Sequence, residues 1–155
     1  MTHPNKFPFT GVLTVVDAPS DKAPSGARGH RVILTDSAAR TAIPTLIGMG
    51  INFASSGKKH NPESKVGIIE HAEIQGWKVM VSGYVFGRDC PTVISQLNAS
   101  ADYGMSYEIA DAHVEDMRAE VWKLTRVTFT GASILPREHA AYRLTEFSLV
   151  SEGKR

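Results

Sequence analysis

Cysteine is almost missing from this chain. Cys90 is the only one in 155 residues, so no disulfide can close within it and no cysteine cluster can hold zinc. Long apolar runs are missing too. The longest, residues 41–54, is broken by Pro44, Gly48 and Gly50 and falls short of the roughly 20 apolar residues a spanning helix needs. The opening residues MTHPNKFPFT carry no apolar core and no small-residue cleavage site, which predicts no secretory leader. These absences lead us to expect a soluble protein, cytosolic at synthesis. Neither sign of charge dominates: 17 basic and 16 acidic side chains are interspersed, for a net charge of +1. That balance leaves no electrostatic footprint for nucleic acid or an anionic membrane. The six histidines, at 3, 30, 60, 71, 113 and 139, show no short ligand spacing, and neither GxGxxG nor a GK[ST] phosphate loop occurs. The expectation is therefore no metal and no cofactor.

What the sequence does have is β patterning. Residues 7–17 alternate as a strand, followed by a Pro/Gly/Ser-rich segment, 17–30, that reads as a mobile loop. A short strand at 31–34 precedes a helix over 37–42, capped by Thr35 or Asp36 and stopped near Pro44. Residues 46–53 read as a buried bend or strand, and the polar stretch 55–65 as a surface loop. Strands at 66–74 and 77–86 flank Gln75-Gly76, a two-residue hairpin connection. Pro91 opens a helix over 91–98. Strands follow at 104–112, 119–125 and 127–135, then a helical turn near 138–142 and a last strand at 144–150. The sum is a mainly β chain with small helices: an antiparallel, barrel-like sheet of about seven strands. The length suits one domain, 1–155, with 1–6 and 151–155 as flexible tails.

The candidate chemistry centres on Gly104-Met105-Ser106-Tyr107-Glu108. On a strand, Met105, Tyr107 and Ile109 face one way, while Ser106 and Glu108 face the other. Ser106 is a candidate nucleophile and His60, in the polar loop, a candidate general base, because a serine hydroxyl attacks only once a neighbour takes its proton. For the third member, Glu108 lies on the same face as Ser106 at about 7 Å by strand rise. Glu120 is the other acidic candidate, and His113 also has the right chemistry. Trp77 and Trp122 sit in strand patterns and read as core.

These segments resemble the tailed-phage prohead (capsid maturation) serine proteases, a group related in fold to herpesvirus assemblin. Thr45-Leu46-Ile47-Gly48-Met49 resembles the TLxGM-type segment ahead of the histidine loop. His60-Asn61-Pro62 with Lys65-Val66-Gly67-Ile68-Ile69 is similar to the histidine segment, Val81-Ser82-Gly83-Tyr84-Val85 to the strand after the hairpin, and Gly104-Met105-Ser106-Tyr107-Glu108 to the serine strand. The likeness extends over residues 9–145. It implies an assemblin-like barrel, Ser106 as nucleophile and His60 as base. Many members carry a glutamate on the strand after the serine, where this chain has Arg126, so the third role falls to Glu108 or Glu120, or the triad is incomplete. Gly131-Ala132 is a candidate source of oxyanion N–H groups. The resemblance implies a serine endopeptidase acting on a major capsid or scaffold protein in the bacterial host cytoplasm, inside or on the assembling phage head, with a homo-oligomer open. The alternative is a non-catalytic capsid decoration or scaffold-associated protein that keeps the fold.

Overall fold

The computed structural model describes residues 3–55, 61 and 63–150. In chain order the elements are β1 (Lys6–Val15), β2 (Arg31–Leu34), α1 (Asp36–Leu46), β3 (Gly50–Phe53), β4 (Lys65–Gln75) and β5 (Lys78–Phe86). Then come α2 (Pro91–Ala99), β6 (Tyr103–Val114), β7 (Val121–Pro136), a 3-10 turn (Arg137–His139) and β8 (Glu146–Leu149).

The hairpin shows how local chemistry sets the frame. Along β5 every second residue, among them Val79, Val81 and Val85, is buried, the period-two signature of a strand with one inner face. Gln75 pairs with Lys78, so the turn residues are Gly76 and Trp77, one position later than the sequence pattern suggests. Gly76 has φ of +62°, the left-handed conformation that the first central position of a type II′ turn requires.

Helix α1 starts where expected, with the Thr35 hydroxyl accepting the Ala38 N–H at 3.1 Å. It does not stop at Pro44 but runs on to Leu46. Proline in the last turn removes one backbone donor, and two contacts hold the turn regardless. The Thr45 hydroxyl donates to the Ala42 carbonyl at 2.6 Å and accepts from the Phe129 N–H at 2.9 Å, while Leu46 is fully buried.

Strand β7 is a single strand rather than the two expected. Val114 pairs with Leu124 and His113 with Arg126, which leaves Thr125 as the extra residue of a β-bulge. The bulge puts Thr125 and Arg126 both outward, a slip in alternation that mimics a strand break in the sequence.

The sheet is mixed, which corrects the expected antiparallel one. Seven strands follow in the order β2-β7-β3-β4-β5-β1-β8, and β6 pairs with β7 off that path. Both β2 and β3 run parallel to β7. They share one edge of it, since β6 occupies the other at the same residues. Helix α1 carries the chain between them, a connection that makes parallel pairing possible. The sheet curls into a half-barrel in which Phe9 on β1 stacks on Phe147 of β8 at 4.9 Å. Its ends, β6 and β8, approach where the Met105 N–H donates to the Thr145 hydroxyl at 3.1 Å.

Residues 17–30 are pinned rather than mobile. Pro19 bridges to Ile33, and the Ser20 hydroxyl, fully buried, accepts the Val32 N–H at 3.0 Å. The Asp21 N–H donates to the Ala141 carbonyl, and the Asp21 carboxylate accepts the Arg143 N–H, both at 2.7 Å. Composition suggested a mobile loop; its partners lie on β2 and on the far C-terminal segment. At the start of the chain, the Asn5 side chain accepts the Arg88 N–H at 2.9 Å and donates to Asp89 at 3.0 Å, so residues 3–5 are tied to the end of β5 rather than trailing as a tail. Residues 151–155 lie outside the described residues. Among the described residues, no helix is long and apolar enough to cross a membrane.

Candidate functional site

Ser106 belongs to a polar row that crosses four strands. In the ladders it faces Ser133 on β7, Ser133 faces Asn52 on β3, and Asn52 faces Lys65 on β4. Directly paired residues project from the same face of a sheet, so these four side chains line up on the face that Glu108 also shares. Asn52 and Ser133 are fully buried.

Glu108 is the acidic member of the cluster. Asn52 Nδ2 donates to Glu108 Oε2 at 2.8 Å, and Lys65 Nζ lies 3.8 Å from Oε1. The carboxylate sits over Gly131, its ladder partner. A Cβ there would fall 2.8 Å from Glu108 Oε1 and 2.9 Å from the Gly50 carbonyl, so only glycine leaves room for this arrangement.

Two polar atoms in the row, Asn52 Oδ1 and Ser133 Oγ, are buried without a hydrogen-bond partner among the described residues. Leaving such a group unpaired costs on the order of 1–3 kcal/mol. Buried polar groups of this kind call for a specific explanation, a catalytic role among them.

The other face of β6 is structural. Met105 is buried, with its sulfur 2.7 Å from where a Cβ on Gly11 would lie. Tyr107 meets Phe129 edge-on at 5.7 Å. Burial, with a smaller contribution from Tyr142, pushes the Tyr107 phenol far up; it stays neutral and offers no base. Partial burial, then the Asp89 carboxylate, push the Cys90 thiol up, away from the low range of a reactive thiolate.

A cleft of about 1080 Å³ runs along β6 from Ser106 to Ala112. Its opposite wall is the pinned segment 22–27, and Val32, Trp122, Leu124 and Leu135 line its apolar part. Because the Met105 N–H points away from β7, toward Thr145, ladder alternation turns the N–H and C=O of Tyr107 the same way. Among the described residues no strand pairs with that edge of β6.

The structure brings Glu108 to Ser106 and leaves Glu120 and His113 elsewhere. Glu120 precedes β7 at its opposite end, where its carbonyl lies 2.9 Å from His30 Nδ1. His113 is exposed and faces Arg126. Arg126 therefore lies seven residues along β7 from Ser133, the residue that faces Ser106. The N–H groups of Gly131 and Ala132 are not free for an oxyanion. Ala132 lies between Tyr107 and Ile51, inside the sheet, where ladder bonds use its backbone. His60 and Pro62 lie outside the described residues. The chain leaves β3 after Phe53 and rejoins β4 at Lys65, so both ends of the histidine segment meet the polar row. Among the described residues no group of three or more His, Cys, Asp or Glu is placed to hold a metal.

Sequence reasoning missed Asn52 and Ser133, and it read Gly131 as an oxyanion donor rather than as the space that Glu108 occupies. Each is unremarkable in its local pattern and gains meaning only from the strand beside it.

No protein-family model and no curated protein matches the sequence. Among solved structures the chain is similar to KSHV protease, crystallised in complex with a hexapeptide phosphonate inhibitor, with a TM-score of 0.60 and 13% identity. The match covers 94% of this chain and 66% of that one, so this chain spans just under two-thirds of that protease. The likeness supports an assemblin-like fold, that of a herpesvirus protease, and does not extend to the phage prohead family.

Proposed function

We propose that this chain is a serine endopeptidase in which Ser106 is the nucleophile, His60 the general base and Glu108 the carboxylate that orients the imidazole. The observation that carries the reading is the placement of Ser106 beside Glu108 in a buried polar row, at one end of a cleft in an assemblin-like half-barrel. Ser106 Oγ bonds to the scissile carbonyl carbon as its proton passes to His60. The C–N bond then breaks, and the imidazolium returns that proton to the leaving amine. Water, activated by the same imidazole, hydrolyses the acyl-enzyme. From Ser106 to Asn52 is two strand spacings, on the order of 10 Å, and the segment bearing His60 begins just past that point. An extended peptide fits the edge of β6 that faces away from β7, beyond Met105, by strand addition.

The substrate we propose is a capsid or scaffold protein processed during phage head maturation. It rests on the order of the short motifs around His60 and Ser106. The test is labelling of the purified chain with a fluorophosphonate probe, with peptide mapping of the adduct. Attachment at Ser106, abolished in Ser106→Ala, is the expected result. Coexpression with a capsid precursor then checks the substrate: the Ser106→Ala variant should leave it uncut. No labelling at Ser106 overturns the enzyme reading.

A further inference from the structure

We infer that Asn52 is a positioning residue that aims the Glu108 carboxylate, an inference that rests on the role proposed for Glu108. The two oxygens of that carboxylate are held from different strands. Asn52 on β3 gives Oε2 a hydrogen bond of 2.8 Å, and Lys65 on β4 stands 3.8 Å from Oε1. The holders are unequal. The Lys65 side chain is 36% exposed, and a long flexible ammonium supplies charge without fixing a plane. Asn52 is fully buried in a paired strand, so its amide is fixed and directional.

Two features argue that this contact is more than satisfaction of a stray carboxylate. To reach Glu108 from β3, the amide passes over β7 at Gly131, where a Cβ would occupy the space beside Oε1. Asn52 also leaves its own Oδ1 without a partner among the described residues. An apolar residue would avoid that burden, and would give up a rigid hydrogen bond to the carboxylate.

The experiment is a double-mutant cycle on the full chain, reading the rate of fluorophosphonate attachment to Ser106 alongside thermal unfolding. Asn52→Leu removes the donor at similar volume, and Glu108→Gln removes the charge. We expect Asn52→Leu to slow labelling by roughly 10- to 100-fold, the scale for a displaced catalytic group, and the double variant to be no slower than Glu108→Gln alone. Losses that multiply would mean that Asn52 acts independently of Glu108 and would overturn the inference; so would a wild-type rate in Asn52→Leu. If Asn52→Leu fails to fold, Asn52→Asp, of the same size but with no N–H to give, takes its place with the same expected loss. An inert wild-type chain would overturn the reading of the site itself, whereas a reactive wild type with an unaffected Asn52 variant overturns only the role of Asn52.

Discussion

Ser106 on β6 and Ser133 on β7 face each other across the ladder, and their surroundings differ. Ser106 is partly exposed beside the cleft, whereas Ser133 is fully buried and its hydroxyl has no partner among the described residues.

That difference separates two alanine variants. Ser133→Ala removes a hydroxyl that has no hydrogen-bond partner among the described residues, so folding stability should hold or rise, by up to about 1 kcal/mol, and Ser106 labelling should persist. Ser106→Ala should leave stability within about 0.5 kcal/mol of the wild type and remove labelling. Urea unfolding with the probe assay checks both; a large stability loss in Ser133→Ala would show an undetected partner for its hydroxyl.

Gly131→Ala tests the space under Glu108. The new methyl would press against Glu108 Oε1 and the Gly50 carbonyl, at 2.8 and 2.9 Å, and backbone cannot yield cheaply. We expect a loss of about 1–3 kcal/mol, the usual cost of overpacking, together with slower labelling of Ser106 as the carboxylate moves. Denaturation midpoint and labelling rate measure the two effects separately.

Tyr142 predicts behaviour in alkali. Its hydroxyl lies 3.1 Å from the Val32 carbonyl and 3.2 Å from that of Ala18, and burial pushes its phenol up to about 12. An unfolded tyrosine titrates near 10. The stabilisation is thus complete below about pH 10 and is lost as pH rises toward 12, by on the order of 2–3 kcal/mol. Tyr142→Phe should be less stable at neutral pH by about 1 kcal/mol through its lost hydrogen bonds, yet show a flatter decline above pH 10. Thermal melts across pH 7–12 check this; an equally steep alkaline decline in the variant would assign it to another group.

The strands, the Thr35 cap and the Gly76 turn were legible because each rests on chemistry within a few residues: alternation, a hydroxyl before a helix, a glycine with positive φ. The shared face of Ser106 and Glu108 was legible for the same reason, as strand geometry alone places residues two apart together. Helix α1 outran its proline because Phe129, distant in sequence, holds Thr45. The bulge at Thr125 looked like a chain break because alternation cannot tell a slipped register from an ended strand.

The sequence by itself determined that this chain is β-rich, where most of its strands run, and that a serine and a glutamate share one face of one of them. Only the tertiary structure decided that β2 and β3 pair parallel to β7, that segment 17–30 is tied down, and that Asn52, Ser133 and Lys65 join Ser106 and Glu108 in one row. The physical reason is range. Periodicity is a property of neighbouring residues, whereas cross-strand neighbours depend on pairings between distant segments, and a single bulge changes which residues meet.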